Sequence, residues 1–242
     1  MTEGSWTKMD LSYITKNTKS VMGRIREAER QAGRPEGCVR MIAAVKYAEP
    51  EELVYLCEQA GVRDLGENRV QQLLAHYEAM EHPEEYRWHF IGSLQTNKVK
   101  YIIDKVCMIH SLDSLRLAEE IEKQAAKRGI VMDVLVEINS GEEENKGGLY
   151  PHEVEDFCAK LSGYPHLRHR GFMTMAPKCE KKSDYLKYFQ QTSQQVLDIW
   201  TKKMHNIDRP ILSMGMSESF EEAIACGSDM VRVGKGLFVK ES

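Results

Sequence analysis

Lys46 ends the run Val39–Lys46 (Val-Arg-Met-Ile-Ala-Ala-Val-Lys), a short apolar stretch closed by one amine. The Tyr-Ala-Glu-Pro that follows breaks the run, which therefore reads as a buried strand whose last residue emerges at a loop. Such a lysine has two readings. Its ammonium snorkels to water, or it is a desolvated amine placed to condense with an aldehyde as a Schiff base. Two later loops carry a different chemistry. Leu212-Ser213-Met214-Gly215-Met216-Ser217 leads into a short helical pattern, and Val231-Arg232-Val233-Gly234-Lys235-Gly236 ends the last apolar run. Small residues there let backbone N–H groups approach an anion closely, hydroxyls add donors, a helix start adds positive potential, and Arg232 and Lys235 add full charges.

Elements must bring these groups together, and the chain alternates two periodicities. Leu11, Ile14, Val21, Ile25 and Ala28 recur at helical spacing until Gly33 and Pro35 stop them. Strands are then expected at Val39–Lys46, Val62–Gly66, Tyr86–Ile91, Val106–His110, Met132–Asn139, Arg168–Met175, Pro210–Met214 and Met230–Val233. Each but the last is followed by a helical pattern, among them Pro50 to Gly61, Gln95–Ile103, Pro151–Leu161, the Phe189 to Met204 series and Phe220–Ala225. Strands alternating with helices imply a parallel sheet. About eight units in this length fit an α/β fold of the (β/α)8 TIM-barrel type in a single domain. An open doubly wound sheet is the competitor, but no G-x-G-x-x-G follows the first strand. The expected layout is a frayed 1–9 and one barrel over 10–242. Its N-terminal helix packs on the outside, where an eighth outer helix would otherwise lie.

In such a barrel the site forms at the C-terminal ends of the strands, with a phosphate site after the last two. Those ends carry Lys46, Glu67, Asn68, His89, Ser93, Glu137, Asn139, Thr174, Ser213, Ser217 and Arg232. An amine after the first strand and an anion cup after the last two suit a phosphorylated aldehyde. Pyridoxal 5′-phosphate (PLP) meets both requirements, and the substrate of a phosphosugar aldolase or isomerase meets them as well.

Composition excludes other classes. With 242 residues, a formal net charge of −4 and 29% charged residues, the chain lacks the clustered basic footprint of a nucleic-acid binder. No apolar stretch approaches the roughly 20 residues of a membrane span. The N-terminus has no apolar signal core, so a cytoplasmic protein is expected. Cys38, Cys57, Cys107, Cys158, Cys179 and Cys226 are scattered, as reduced structural thiols are, and form neither a disulfide framework nor a zinc site. His166 and His169, Glu142–Glu144, Met173 with Met175, and the Lys178–Lys182 cluster read as surface, loop-tip and packing residues.

The motifs quoted so far, together with Gly66-Glu67-Asn68, Trp88-His89-Phe90-Ile91-Gly92, Met173-Thr174-Met175-Ala176-Pro177 and Gly227-Ser228, resemble the pyridoxal phosphate homeostasis protein family. That family is a barrel relative of the alanine racemase N-terminal domain. The resemblance spans nearly the whole chain in order. It implies that Lys46 is the Schiff-base lysine and that Asn68 lies near the cofactor ring. It further implies that Ser213, Ser217 and the Gly234-Lys235 backbone hold the phosphate, and that Arg232 sits near the pyridine nitrogen. A guanidinium there has no proton to give up at neutral pH, so the ring is a poorer electron sink than with a carboxylate partner. The chain departs from the family pattern at Ala43-Ala44, Tyr47, Phe172, Lys235-Gly236 and Val239.

Two functions follow. In the racemase relatives a second, β-rich domain supplies the acid/base opposite the lysine, and the barrel uses all of this chain. The expectation is a PLP-binding protein of intracellular PLP homeostasis that buffers, carries or delivers the cofactor to PLP-dependent apo-enzymes. It is expected to be a monomer, with no nucleic-acid, membrane or metal partner. The alternative is a PLP-dependent amino-acid racemase or a weak aminotransferase-like enzyme.

Overall fold

A computed structural model describes residues 10–143, 147–203 and 209–240. Eight parallel strands close into a barrel in sequence order, with β8 returning to pair with β1. The order is α1 (Ser12–Gln31), β1 (Arg40–Ala44), α2 (Pro50–Glu58), β2 (Asp64–Glu67), α3 (Val70–Ala79), β3 (Arg87–Phe90), α4 (Val99–Ile102), β4 (Met108–Leu112), α5 (Leu115–Arg128) and β5 (Met132–Ile138). It continues with α6 (Val154–Leu161), β6 (Leu167–Thr174), α7 (Lys182–Lys203), β7 (Ile211–Met216), α8 (Phe220–Ala225), β8 (Met230–Val233) and α9 (Lys235–Phe238).

The expected strands all form. The helical pattern at Gln95–Ile103 splits into a 3-10 turn, Thr96–Lys98, and the single turn of α4. The fourth strand runs two residues beyond His110, which places that imidazole mid-strand. The expected 1–9 segment, Glu144, and Met204 of the helical series lie outside the described residues. After β8 a four-residue helix, α9, closes the ring where no helix was expected. As anticipated, α1 fills the remaining gap: it packs against α2, α8 and α9, with Ile14, Val21, Ile25 and Ala28 buried along one stripe.

Strand alternation divides the core in two. Ala43, Leu65, Trp88, Phe90, Ile109, Val134, Val136, Phe172, Val231 and Val233 face outward into the main apolar layer beneath the helices. The barrel interior holds a separate apolar plug of Ile42, Met108, Leu135, Met173 and Met230. The same inward register also carries Asp64, His89, His110, Ser213 and Arg232, all buried. Both faces of every strand are therefore covered, which is why the strands read as continuous runs and not as alternating patterns. Among the described residues no helix is long and apolar enough to cross a membrane, and no group of three His, Cys, Asp or Glu residues is placed to hold a metal.

Candidate functional site

Lys46 lies two residues beyond β1, half-buried at the C-terminal mouth of the barrel. Its Nζ stands 4.7 Å from the centroid of the Tyr47 ring, a ring that is itself 70% exposed. Two side chains of α3 fix the turn that carries the amine. Gln72 Nε2 donates to the Lys46 carbonyl at 2.5 Å. His76 Nε2 lies 3.2 Å from the Ala48 carbonyl, while its Nδ1 meets Glu67 Oε1 at 2.6 Å. That hydrogen bond to Glu67 raises the His76 pKa. The second oxygen of Glu67 accepts from the backbone N–H of Asn68 at 3.3 Å. Glu67, at the very end of β2, thus braces the Lys46 turn and the Asn68 turn with one carboxylate. The Asn68 Oδ1 is buried with no hydrogen-bond partner, which leaves a polar acceptor waiting at the mouth.

The end of β8 adjoins this turn because β1 and β8 are paired, Ala43 opposite Val233. Gly234 packs directly on β1: a Cβ there would stand 2.9 Å from the Ala44 carbonyl oxygen, so no larger residue fits without displacing backbone. Its N–H donates to Ser217 Oγ at 3.3 Å, joining the β7–α8 turn to the start of α9. Ser217 and Gly234 therefore form one small cradle of hydroxyl and backbone beside the Lys46 turn. Lys235 is exposed at its rim. The helices here are a turn or two long, so the donors are individual N–H and O–H groups.

Ser213 is placed differently. Its hydroxyl lies inside the barrel, 2.8 Å from Arg232 Nη1 and 3.1 Å from His110 Nδ1. Arg232 also donates from Nη1 to the Ser213 carbonyl at 2.8 Å and from Nη2 to the Thr174 carbonyl at 2.9 Å. Guanidinium can only donate and the ionised Asp64 carboxylate can only accept, and between these two ends each neutral imidazole donates from Nε2 and accepts at Nδ1. Ser213 accepts from Arg232 and gives its own hydrogen to His110 Nδ1. His110 then donates from Nε2 to His89 Nδ1, 3.0 Å away, and His89 from Nε2 to Asp64 Oδ1, 3.1 Å away. Every proton points from the buried guanidinium toward the carboxylate at the opposite rim, where Arg87 clasps Asp64 through Nε and Nη2 at 2.7 and 2.5 Å.

The titration behaviour agrees with this direction. Burial pushes His110 well below its ordinary value, helped by His89 and Arg232, and burial likewise lowers His89. Burial alone would raise Asp64, but hydrogen bonds from Arg87 and His89 outweigh it and hold the carboxyl at about 2. Both imidazoles are therefore neutral and the carboxylate ionised. Burial brings Arg232 down to about 10, opposed by Glu137 and Tyr188, so it stays a cation at neutral pH. Glu137 is raised to about 7 by burial and by Asp113, against the pull of Arg232.

Of the residues singled out in the sequence, Lys46, Asn68, Ser217 and Gly234 stand at the mouth with Lys235 at its edge. Ser213 and Arg232 form a second, deeper group with His89. His110 and Asp64, which complete the deeper group, were not singled out; a histidine in the middle of a fully buried strand is the signal that points to it. Tyr188, on α7, bonds Thr174 Oγ1 at 2.8 Å and was also missed. The donor set fits a flat ligand with a reactive carbonyl at one end and a phosphate at the other. An amine would serve the carbonyl, a hydroxyl and backbone cradle would serve the anion, and the Arg232 N–H groups not spent on Ser213 and Thr174 would serve an acceptor on the ring.

Residues 16–241 match the model of the alanine racemase N-terminal domain family. A pyridoxal phosphate homeostasis protein of Aquifex aeolicus is 43% identical over 220 residues, covering 90% of this chain and 94% of that one. The crystal structure of an unknown protein from Bifidobacterium adolescentis superposes with a TM-score of 0.86 at 34% identity, covering 94% of this chain and 95% of the other. PipY of Synechococcus elongatus PCC7942, solved with PLP bound, gives a TM-score of 0.81 at 26% identity over 93% of this chain and all of its own.

Proposed function

Because the chain belongs to the pyridoxal phosphate homeostasis protein family, we propose that its barrel mouth holds PLP on Lys46 and keeps it available for intracellular exchange. The observation that carries this reading is the juxtaposition of a half-buried amine just after β1 with the Ser217–Gly234 cradle, built from the turns that follow β7 and β8, β8 being paired with β1. PLP supplies a carbonyl carbon that an amine can bind covalently and a conjugated ring that can take up electrons.

The chain's own residues divide the work of holding it. Lys46 provides the covalent attachment, and Gln72 and His76 hold its turn in place. Ser217 Oγ and the Gly234 backbone grip the phosphate, with Lys235 adding charge from the rim. Asn68 Oδ1, orphaned at the mouth, turns toward the ring. Arg232 faces the pyridine nitrogen with those of its N–H groups not spent on Ser213 and Thr174. The hydroxyl of Ser213 acts on the nitrogen side by steadying Arg232, and its backbone lies on the strand that leads to the phosphate turn.

This division favours storage and delivery over turnover. Arg232 remains protonated and offers hydrogen bonds, not a transferable proton, so the ring gains little power to stabilise a carbanion. The readers of the cargo are PLP-dependent apo-enzymes, the setting is the cytoplasm, and the protein acts as a monomer. Three measurements test the proposal: the visible absorbance of the protein with PLP, the release of that colour to an apo-enzyme, and turnover with D- and L-amino acids. The expected result is a coloured protein that surrenders PLP and turns over neither enantiomer. Racemisation at ordinary enzyme rates, about 1–1000 per second, would replace the carrier with a racemase.

A further inference from the structure

At the end of the barrel opposite Lys46, α1, the segment before β1, the α2–β2 connection and the start of β3 enclose a cleft of about 400 Å3. Its lining holds four arginines, Arg26, Arg40, Arg63 and Arg87, against one carboxylate, Asp64. This concentration occurs in a chain whose formal net charge is −4. The carboxylate cannot neutralise the four. Asp64 is taken up by two hydrogen bonds from Arg87 and one from His89. Arg26 spends its Nη1 on Glu29, a carboxylate that also receives the backbone N–H groups of Gly37 and Val39.

The other two guanidiniums are held only loosely. Arg40 Nε approaches Asp64 no closer than 3.8 Å. Arg63 stacks over the Tyr86 ring at 5.1 Å, with Nη1 3.9 Å from the exposed Glu85. Both distances exceed hydrogen-bond reach, so the forks of Arg40 and Arg63 keep their donors for something else, among the described residues. Thr18, which also lines the cleft, has a buried hydroxyl oxygen without a partner among the described residues. Guanidinium forks match the oxygens of phosphate in pairs, and the two open forks of Arg40 and Arg63, on separate segments with Arg26 and Arg87 beside them, suit a tetrahedral group better than a flat one.

We propose that this cleft is a second ligand site, separate from the barrel mouth, which binds a small phosphate compound carrying two or more negative charges. A bare phosphate leaves most of 400 Å3 unfilled. Met22, Met41 and Val62 supply an apolar wall for an organic portion. The charge requirement follows from the lining: with Arg87 on Asp64 and Arg26 on Glu29, a monoanion leaves one of Arg40 and Arg63 uncompensated, whereas a diphosphate answers both together. The bound ligand would tie α1 to β1, β2 and β3, and would touch Asp64, the far end of the hydrogen-bonded series from Arg232. The proposal does not rest on the PLP reading.

Titrating the full-length protein with inorganic pyrophosphate and, in parallel, with adenosine diphosphate tests it. Calorimetry gives the affinity and backbone amide NMR shifts give the location, each with and without PLP. The expected result is saturable one-to-one binding that PLP does not displace, with shifts at Gly37, Gly61 and Arg63. Tighter binding of adenosine diphosphate would show that the apolar wall holds the organic part; equal binding would show that the phosphates suffice. Arg63→Gln should weaken binding about ten-fold or more, as loss of a charge-assisted hydrogen bond does. Because Arg63 is half-exposed, this variant keeps its fold, which circular dichroism checks; Arg40→Gln gives an independent reading. Affinity unchanged in both variants, displacement by PLP, shifts at Ser217 and Gly234 instead, or no saturation would each overturn the site.

Discussion

Replacing Glu137 with glutamine should stabilise the protein, and only above a particular pH. The carboxyl is 5% exposed, and burial together with Asp113 raises it from 4.5 to about 7 despite Arg232. Below pH 4.5 the group is neutral whether the chain is folded or not, so it costs nothing. Between 4.5 and 7 the unfolded chain ionises while the folded one resists, and stability falls as pH rises. Above 7 the whole cost persists, about 3 kcal/mol at about 1.4 kcal/mol per pH unit. Glu137→Gln keeps the shape and removes the charge. It should leave the urea midpoint at pH 4.5 nearly unchanged and raise stability at pH 8 by up to about 3 kcal/mol, or about 6–12 °C in Tm for a chain of this size. The measurement is urea and thermal unfolding of protein free of PLP at both pH values. An equal gain at both, or a loss at pH 8, would refute the placement of a strained acid at the mouth. A protein that keeps such a group trades stability for charge near Arg232.

Other consequences are as specific. His89 and His110 are buried and neutral, and His169, half-buried against Phe172 where a surface residue was expected, is neutral too, titrating at about 4 through burial. As pH falls below about 6.5 the unfolded chain takes up protons that the folded one refuses, so each should contribute a loss of about 1.4 kcal/mol per pH unit until its folded pKa is reached. Glu137 offsets one of the three, and urea unfolding from pH 7 to 5 reads the net slope. Ser213→Ala should cost about 1–3 kcal/mol by leaving His110 and Arg232 each short of a partner. A double-mutant cycle with His110→Phe should give a coupling of at least 0.5 kcal/mol, and strict additivity would remove the Ser213–His110 hydrogen bond from the series. Gly171→Ala should prevent a stable fold: φ is +149°, and a Cβ would lie 2.1 Å from the Ile211 carbonyl oxygen in the neighbouring strand. Circular dichroism of the expressed variant checks it. Gln72→Ala should free the Lys46 turn and speed PLP release about ten-fold with little change in Tm, measured by stopped-flow colour loss.

The barrel was legible because its strands are covered on both faces and its turns are short. Phe220–Ala225 and Met230–Val233 have the boundaries their residues suggest, since Gly227 and the apolar run leave no choice. Position along a strand was harder to read. Sequence put Ser213 and Arg232 at the mouth with Ser217, yet inward-facing strand residues stack in layers, and one layer down they meet His110 and His89. The register that brings Ser213 opposite Met230 and Met216 opposite Arg232 includes an irregularity between them, and no local spacing announces it. Asp64 was hidden for a related reason. It opens β2 at the far rim, where a charged residue reads as solvated, and only the closed barrel sets it beneath His89. Lys46 stood out because a single amine after an apolar run needs no knowledge of its neighbours.

The central claim is that the Lys46 amine binds PLP covalently while the Ser217–Gly234 cradle holds its phosphate. Borohydride reduction of the PLP-loaded protein followed by peptide mass spectrometry tests it most directly. The account predicts one stable adduct, on Lys46, with the visible band lost on reduction and no adduct in Lys46→Ala. An adduct on Lys235 or another lysine, with Lys46 unmodified, would contradict it.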